Sequence, residues 1–424
     1  MHKEHAKLDI DAVENKQTRI TALAVRQIEI LNNFDDGQFD TDAERMPRGF
    51  RKARHAIVNE AVQLAYLMEN NRFGKSGFHD SALYKRIIAT PNLCAAWREF
   101  KNDKTNKKDV LEFAERAEEH FVALHDDLAS GTYRHGPYSR FFVHDPKQRP
   151  IAKAGVRDRV LHHAICRILG PIFDKRFIFD SYASRKTKGT HAANERLREF
   201  ARKLSHNNTQ AVWLLKCDIR KFFDSVDHEI LLELCDARIT DRQVLSLLRM
   251  IVTSFETRIG KGIPLGNLTS QLLANVYLDQ LDQYIKRELR CKWYVRYTDD
   301  FVMLSNNRHE LEEILPKIRE FLHDRLQVDI HPNKIVFRKW HQGFDFLGYV
   351  HFPHHKLVRT KTVRRMFRKL AIRHAGAEDD TSQGKLEQAK QSYLGILSHA
   401  RGKKFARDIR HTFRKTAKSD LHTI

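Results

Sequence analysis

"YVRYTDDFVML", Tyr294 to Leu304, sets two adjacent carboxylates, Asp299 and Asp300, between runs of β-branched and aromatic residues. Such runs fit a pleated, half-buried surface, so they predict two strands joined around Thr298-Asp299-Asp300. Asp is a turn former, and a solvated hairpin tip is one reading of the acids. Asp218 favours another. It closes the apolar run "AVWLLKCDI", where an unpaired charge in a half-buried strand is costly. If the two segments are neighbouring strands, Asp218 and Asp299 converge. Oxygen ligands from two strands suit Mg²⁺, which keeps waters and completes its shell with substrate phosphates. Side chains alternate along a strand, so Asp300 is expected to point away from Asp299 and to play a supporting part.

The rest of the chain constrains what such a site serves. Its 424 residues make two or three lobes the expectation. Lys plus Arg total 75 against 54 Asp plus Glu, a net +21 that points to a polyanionic partner, nucleic acid first. Cys94, Cys166, Cys217, Cys235 and Cys291 form no C-x-x-C pair. Neither a disulfide framework nor a Cys-based zinc site is indicated, and a reducing cytoplasm fits. "HFPHHK" (His351 to Lys356) lacks the spaced partners a zinc site needs. The N-terminal "MHKEHAKLDIDAVENKQ" has no apolar core of a signal peptide, and no run approaches a membrane span, so no membrane partner is expected.

Helical spacing is read from Leu8 to Phe73 (Ile20, Leu23, Ile28, Leu31; Ile57, Ala61, Leu64, Leu67). It recurs along Phe113, Ala117, Phe121, Leu124 and Leu128, with Gly131 at the expected C-terminal cap. "YSRFFVHDPKQRPIAKA" reads as a short hairpin and "RDRVLHHAICRILGPIFDKRF" as a helix, with His162 and His163 satisfied by hydrogen bonds. From Ala211 to Tyr349 strands and helices alternate, "FDFLGYVHF" being read as one strand. The result is an α+β core, a sheet backed by helices. Beyond Val363 two basic amphipathic helices follow, one bearing Arg364, Arg365, Arg368 and Lys369, the other carrying Phe405, Ile409 and Phe413 among Lys and Arg. Such faces are solvated or hold nucleic-acid backbone.

The motifs, taken in order, resemble those of reverse transcriptases over about residues 85 to 400. "DPKQRPI" and "DRVLHHAICRILGPIFDKRF" resemble a first fingers block, and "DSYASRKTKGTHAANERL" a second. "LLKCDIRKFFDSVDHEIL" is similar to the palm block with the first catalytic acid, "GIPLGNLTSQLLANVYLDQLD" to the template and nucleotide block, and "YTDD" to the YxDD box. "LQVDIHPNKIVF" and "GFDFLGY" resemble the following block and the primer grip.

The resemblance implies a right-hand polymerase: a helical extension (1–84), fingers (85–210), palm (211–355) and a helical thumb with tail (356–424). It implies catalytic Asp218, Asp299 and Asp300. Two Mg²⁺ ions, or Mn²⁺ in their place, would be held by these acids and Ile219. Lys147, Arg149, Arg185, Phe223, Gln271 and Lys334 would contact substrate, with Lys147, Arg149 and Arg185 at the triphosphate and Lys334 near the leaving pyrophosphate. Phe223 stands where the family carries its steric gate against a 2′-hydroxyl, and Gly266 and Gly348 match family glycines. Where group II intron enzymes carry Gln-Gly-x-x-x-Ser-Pro, this chain has "LGNLTSQ" (Leu265 to Gln271), similar to diversity-generating and unknown-group, defence-associated enzymes.

The implied partners are dNTPs, a DNA primer or product and an RNA template, in the defence setting a structured non-coding RNA. An accessory protein or a homo-oligomer is a further expectation. The leading expectation is an enzyme of an antiviral defence element. The alternatives are a mutagenic reverse transcriptase of a diversity-generating retroelement, an RNA-binding or splicing-assisting protein of another class with an idle site, and an RNA-synthesising polymerase on the same palm, which Phe223 argues against.

Overall fold

The computed structural model describes residues 83–144, 148–377 and 379–413; the helices expected between Leu8 and Phe73, and Lys147, lie outside the described residues. Helices α1 (Leu83–Ile88), α2 (Thr90–Lys101), α3 (Lys108–Glu115) and α4 (Ala117–Ala129) come first. The hairpin β1 (Ser139–Val143) and β2 (Arg149–Lys153) follows, then α5 (Val156–Asp174) and α6 (Thr190–Leu204). Next come β3 (Trp213–Asp218), α7 (Phe222–Ser225), α8 (His228–Asp236), α9 (Arg242–Thr253) and α10 (Leu268–Gln283). The pair β4 (Tyr294–Tyr297) and β5 (Asp300–Ser305) leads to α11 (Arg308–Leu326) and β6 (Val336–Lys339). Last are β7 (Phe344–Phe346), β8 (Tyr349–His351), β9 (Lys356–Val358), α12 (Thr360–Ala375), α13 (Asp380–Ser398) and α14 (Lys403–Thr412).

The sheet that carries the acids runs β4-β5-β3-β6, with antiparallel neighbours. Its central strands are covered on both faces, which is why "WLLKC" and "FVML" read as almost unbroken apolar runs. Leu215, Cys217, Phe301 and Met303 join the large helical core containing α5, α10 and α11. Leu214, Val302, Leu304 and Val295 join a second core with α6, Phe344 and Phe346. With both faces filled, register is fixed, since a one-residue slip would exchange the two sets.

Three expectations are corrected. "FDFLGYVHF" is two strands, β7 and β8, because Leu347 and Gly348 both take positive φ (44° and 91°) and reverse the chain. The Phe113 to Leu128 stripe is broken at Arg116, whose ψ of 36° lies outside the helix, so α3 and α4 are separate. His162 and His163 lie in α5 as read, but the buried Nδ1 of each has no hydrogen-bond partner among the described residues. Burial pushes the His162 imidazole down to about 3, which keeps it neutral. The basic segments form α12 and α14, and with α13 they enclose a core of their own around Val363, Met366, Leu370, Leu397, Ile409 and Phe413.

Candidate active site

Tyr297 pairs with Asp300 across β4 and β5, so Thr298 and Asp299 alone make the turn. Thr298 has φ of 54°, a region that β-branched residues rarely enter and that two-residue hairpins usually give to Gly or Asn. A buried clamp holds this conformation. Arg296, fully buried, donates from Nη1 to the Thr298 carbonyl (3.1 Å) and to Asn275 Oδ1 (3.2 Å), and from Nη2 to Ser181 Oγ (2.9 Å). Its guanidinium also grips Asp282 of α10 with two bonds, Nε to Oδ1 at 2.8 Å and Nη2 to Oδ2 at 2.7 Å. Tyr294 donates to the same carboxylate at 2.8 Å.

The strands then bring the acids together. Asp218 stands opposite Asp300 across β3 and β5, and the Ile219 amide donates to the Asp299 carbonyl at 3.1 Å. Asp218, Ile219 and Asp299 line one cleft of about 620 Å³, and Arg149, Phe223, Gln271 and Lys334 line it too. Asp300 does not line it; its Oδ2 pairs with Lys216 at 2.9 Å, while its buried Oδ1 has no partner among the described residues. The alternation expected of adjacent acids is what the hairpin produces.

The electrostatics of the two acids follow their surroundings. Burial, and then the Asp218 charge beside it, push the Asp299 carboxyl up to about 6. Burial raises Asp300 as well, against the opposing pull of Lys216. Lys334 reaches Asp218 Oδ1 at 2.5 Å, placing one cation at the cleft floor. Thus Asp299 faces a like charge and makes no ion pair with a basic side chain among the described residues. Hard oxygens at Asp218 and Asp299, with the Ile219 carbonyl between them in sequence, are a donor set that fits Mg²⁺. Among the described residues, no group of three His, Cys, Asp or Glu side chains forms a ready metal cage.

The site residues implied by the motifs divide in two. Phe222 is core and closes the cleft from beneath, and the half-buried Phe223 lies at the cleft wall. Gly266 has φ of 113°, and a Cβ there would come 3.0 Å from Ile151 Cγ2, so this glycine allows the cleft's loop to lie against β2. Gly348 serves the β7–β8 turn rather than the cleft. Arg185 is corrected: it is not among the lining side chains. Its Nε is spent on Asp174, and its Nη1 on the carbonyls of Ile178 (2.7 Å) and Ser181 (2.9 Å).

Several contributors escaped the sequence reading. Asn267 accepts from Ala154 N and donates to Ala152 O, tying the "LGN" loop to β2. Ser184 donates to Gln271 Oε1 at 3.0 Å, and Lys216 holds Asp300. A polar residue in a motif window was the signal for Asn267 and Ser184. For Arg296 it was a charge in the strand "YVRY"; Asp282, in a helix with several other polar residues, gave no such signal.

Fold and cleft together define a right-hand polymerase, in which acids on adjacent strands face a gap walled by a strand hairpin and a helix start. Residues 144–351 match the reverse transcriptase family, RNA-dependent DNA polymerase. This stretch is a reverse transcriptase domain, of the RNA-directed DNA polymerase type, similar to bacterial and group II intron enzymes. Protein YkfC of Escherichia coli is 26% identical over 280 residues, 56% of this chain and 71% of YkfC. The group II intron-encoded protein LtrA of Lactococcus lactis is 22% identical over 343 residues, 63% of this chain and 56% of LtrA. A telomerase of Candida tropicalis, solved with a fragment of telomeric RNA, superposes with a TM-score of 0.44 at 12% identity, over 71% of this chain and 59% of its own.

Proposed function

We propose that this chain makes DNA from dNTPs on a dedicated non-coding RNA, within an antiviral defence element, with residues 85–210 as fingers, 211–355 as palm and 356–424 as thumb and tail. The observation that carries the chemistry is the meeting of Asp218 and Asp299 in one cleft with Phe223, Gln271 and Arg149. In the reaction, the primer 3′-oxygen bonds to the α-phosphorus, the α–β bridge breaks, and its electron pair leaves with pyrophosphate.

Reverse transcriptase domains generally use divalent metal ions. Here Asp218, Asp299 and the Ile219 carbonyl would hold Mg²⁺, and Asp300, fixed by Lys216, would steady the hairpin beneath them. When bound, two such ions supply Lewis acidity to the attacking and leaving oxygens. Arg149 would meet the triphosphate, and Lys334 the leaving side of the reaction. Lys147, in the same motif as Arg149, would add a second cation at the triphosphate. Phe223 would exclude a 2′-hydroxyl by bulk, and Gln271, held by Ser184, would orient the incoming nucleotide.

Support for the defence setting is the "LGNLTSQ" motif and the long segment ahead of the matched residues. The same motif supports a second reading, a mutagenic enzyme of a diversity-generating element. Purified protein with its copurifying RNA, Mg²⁺ and dNTPs is expected to make DNA. Asp218→Ala should cut the rate by roughly 10³-fold, the scale of several kcal/mol of transition-state stabilisation. Intact synthesis in Asp218→Ala would overturn the chemistry. Sequencing the DNA product decides the setting: a fixed or repetitive product supports defence, and errors confined to template adenines replace it with diversification.

A further inference from the structure

Beside the nucleotide cleft lies a smaller cavity of about 340 Å³ that the reading above leaves unused. Three segments build it: the turn after β3, the tight turn at residues 258–261, and the chain leaving α11. Arg220 and Lys221 come from the first, Arg258 and Lys261 from the second, and Gln327 and Asp329 from the third. Lys221 lines both this cavity and the nucleotide cleft, so the two spaces adjoin.

The charges do not balance internally. Lys261 donates to Gln327 Oε1 at 2.7 Å and lies 3.4 Å from Asp227. Asp329 is the one acid lining the cavity, and its Oδ1 faces His323 Nδ1 at 3.2 Å. The side chains of Arg220, Lys221 and Arg258 make no hydrogen bond or ion pair with any described residue. All three residues are exposed to solvent, and gathering them around one concavity leaves the repulsion of their like charges uncompensated by any acid partner of their own. An anion with several oxygens would turn that repulsion into charge-assisted hydrogen bonds, which guanidinium groups make in pairs. The backbone fixes the arrangement: Lys221 is held at φ of 45°, and Gly260 and Gly262 at 67° and 107°, the latter two shaping the turn that presents Arg258 and Lys261.

We propose that this cavity is a polyphosphate site that receives inorganic pyrophosphate as it leaves the nucleotide cleft. The inference rests on the reading of that neighbouring cleft as a polymerase site. A cavity of this volume encloses a pyrophosphate, whereas a nucleic-acid backbone follows an open track of cations. Lys221 stands where a departing anion would pass from one space to the other, and Arg220 and Arg258 wait beyond it. Bound there, pyrophosphate would stay beside the cleft, poised to re-enter and reverse nucleotidyl transfer, so the site sets how strongly product accumulation slows synthesis.

The test uses the full chain and sodium pyrophosphate as probe, with Arg220→Ala/Arg258→Ala as the variant because neither residue lines the nucleotide cleft. Calorimetry in metal-free buffer is expected to show pyrophosphate binding at least about 10-fold weaker in the variant, the scale of losing one or more charge-assisted bonds. In DNA synthesis with Mg²⁺, the pyrophosphate concentration giving half inhibition should rise by a similar factor, while the KM for dNTP moves less than about 2-fold. Unchanged pyrophosphate affinity overturns the proposal. So does an equal affinity accompanied by weakened RNA binding, which would make the cavity a backbone contact. Wild-type protein that binds pyrophosphate through these arginines but makes no DNA would defeat the polymerase reading and leave the anion site standing.

Discussion

Two buried sets of charges lie within a few residues of each other and are treated in opposite ways. Arg296 and Asp282 are fully buried, joined by two hydrogen bonds, and every further contact of the guanidinium goes to a neighbouring oxygen. Asp299 is partly buried beside Asp218, a charge of its own sign, and its carboxyl is pushed up to about 6. The first set is complete within the protein and fixes a turn; in the second, Lys334 pairs with Asp218, while Asp299 has no ion pair among the described residues. A charge whose partner is built in belongs to the structure, while one whose partner is withheld marks the place where chemistry enters.

The largest effect expected from the first set is on stability. Arg296→Ala should leave Asp282 as a lone buried charge and cost about 3–5 kcal/mol, read from the urea midpoint. A cost under about 1 kcal/mol would mean that the clamp is ornamental. Next comes Phe223→Ala, expected to raise ribonucleotide over deoxyribonucleotide incorporation roughly 10- to 100-fold in single-turnover assays, as a pocket edge is lost. An unchanged ratio would remove Phe223 from sugar selection. The smallest is Gly266→Ala, where positive φ and the approach to Ile151 predict a loss of about 1 kcal/mol with KM for dNTP rising more than kcat falls.

The sequence made the second set more legible than the first. Asp218 and Asp299 could be read because each interrupts an apolar run, and burial of a lone charge demands a reason. Arg296 in "YVRY" and Asp282 in "YLDQLDQY" look like residues of a polar face, one on a strand and one on a helix. Only packing shows that the two faces meet. Arg185 misled for the mirror reason: a cation in a substrate motif is also the donor that closes three acceptors around residues 174–181. Strands fell where β-branched and aromatic residues cluster, but the reversal at Leu347-Gly348 was hidden because Leu carries no sign of a positive φ.

The measurement that bears most directly on this contrast is the pH dependence of stability of metal-free Asp299→Asn against the parent, run beside DNA synthesis. A carboxyl whose folded pKa lies above its unfolded value contributes stability below about pH 4, and that contribution is lost as pH rises through about 6. Asn cannot ionise, so the variant should match the parent near pH 4 and exceed it by about 2–3 kcal/mol at pH 7.5, while synthesis with Mg²⁺ collapses. A variant less stable than the parent at pH 7.5, or one that still makes DNA at the parent's rate, would contradict the claim that Asp299 is left unneutralised to receive the reaction's cations.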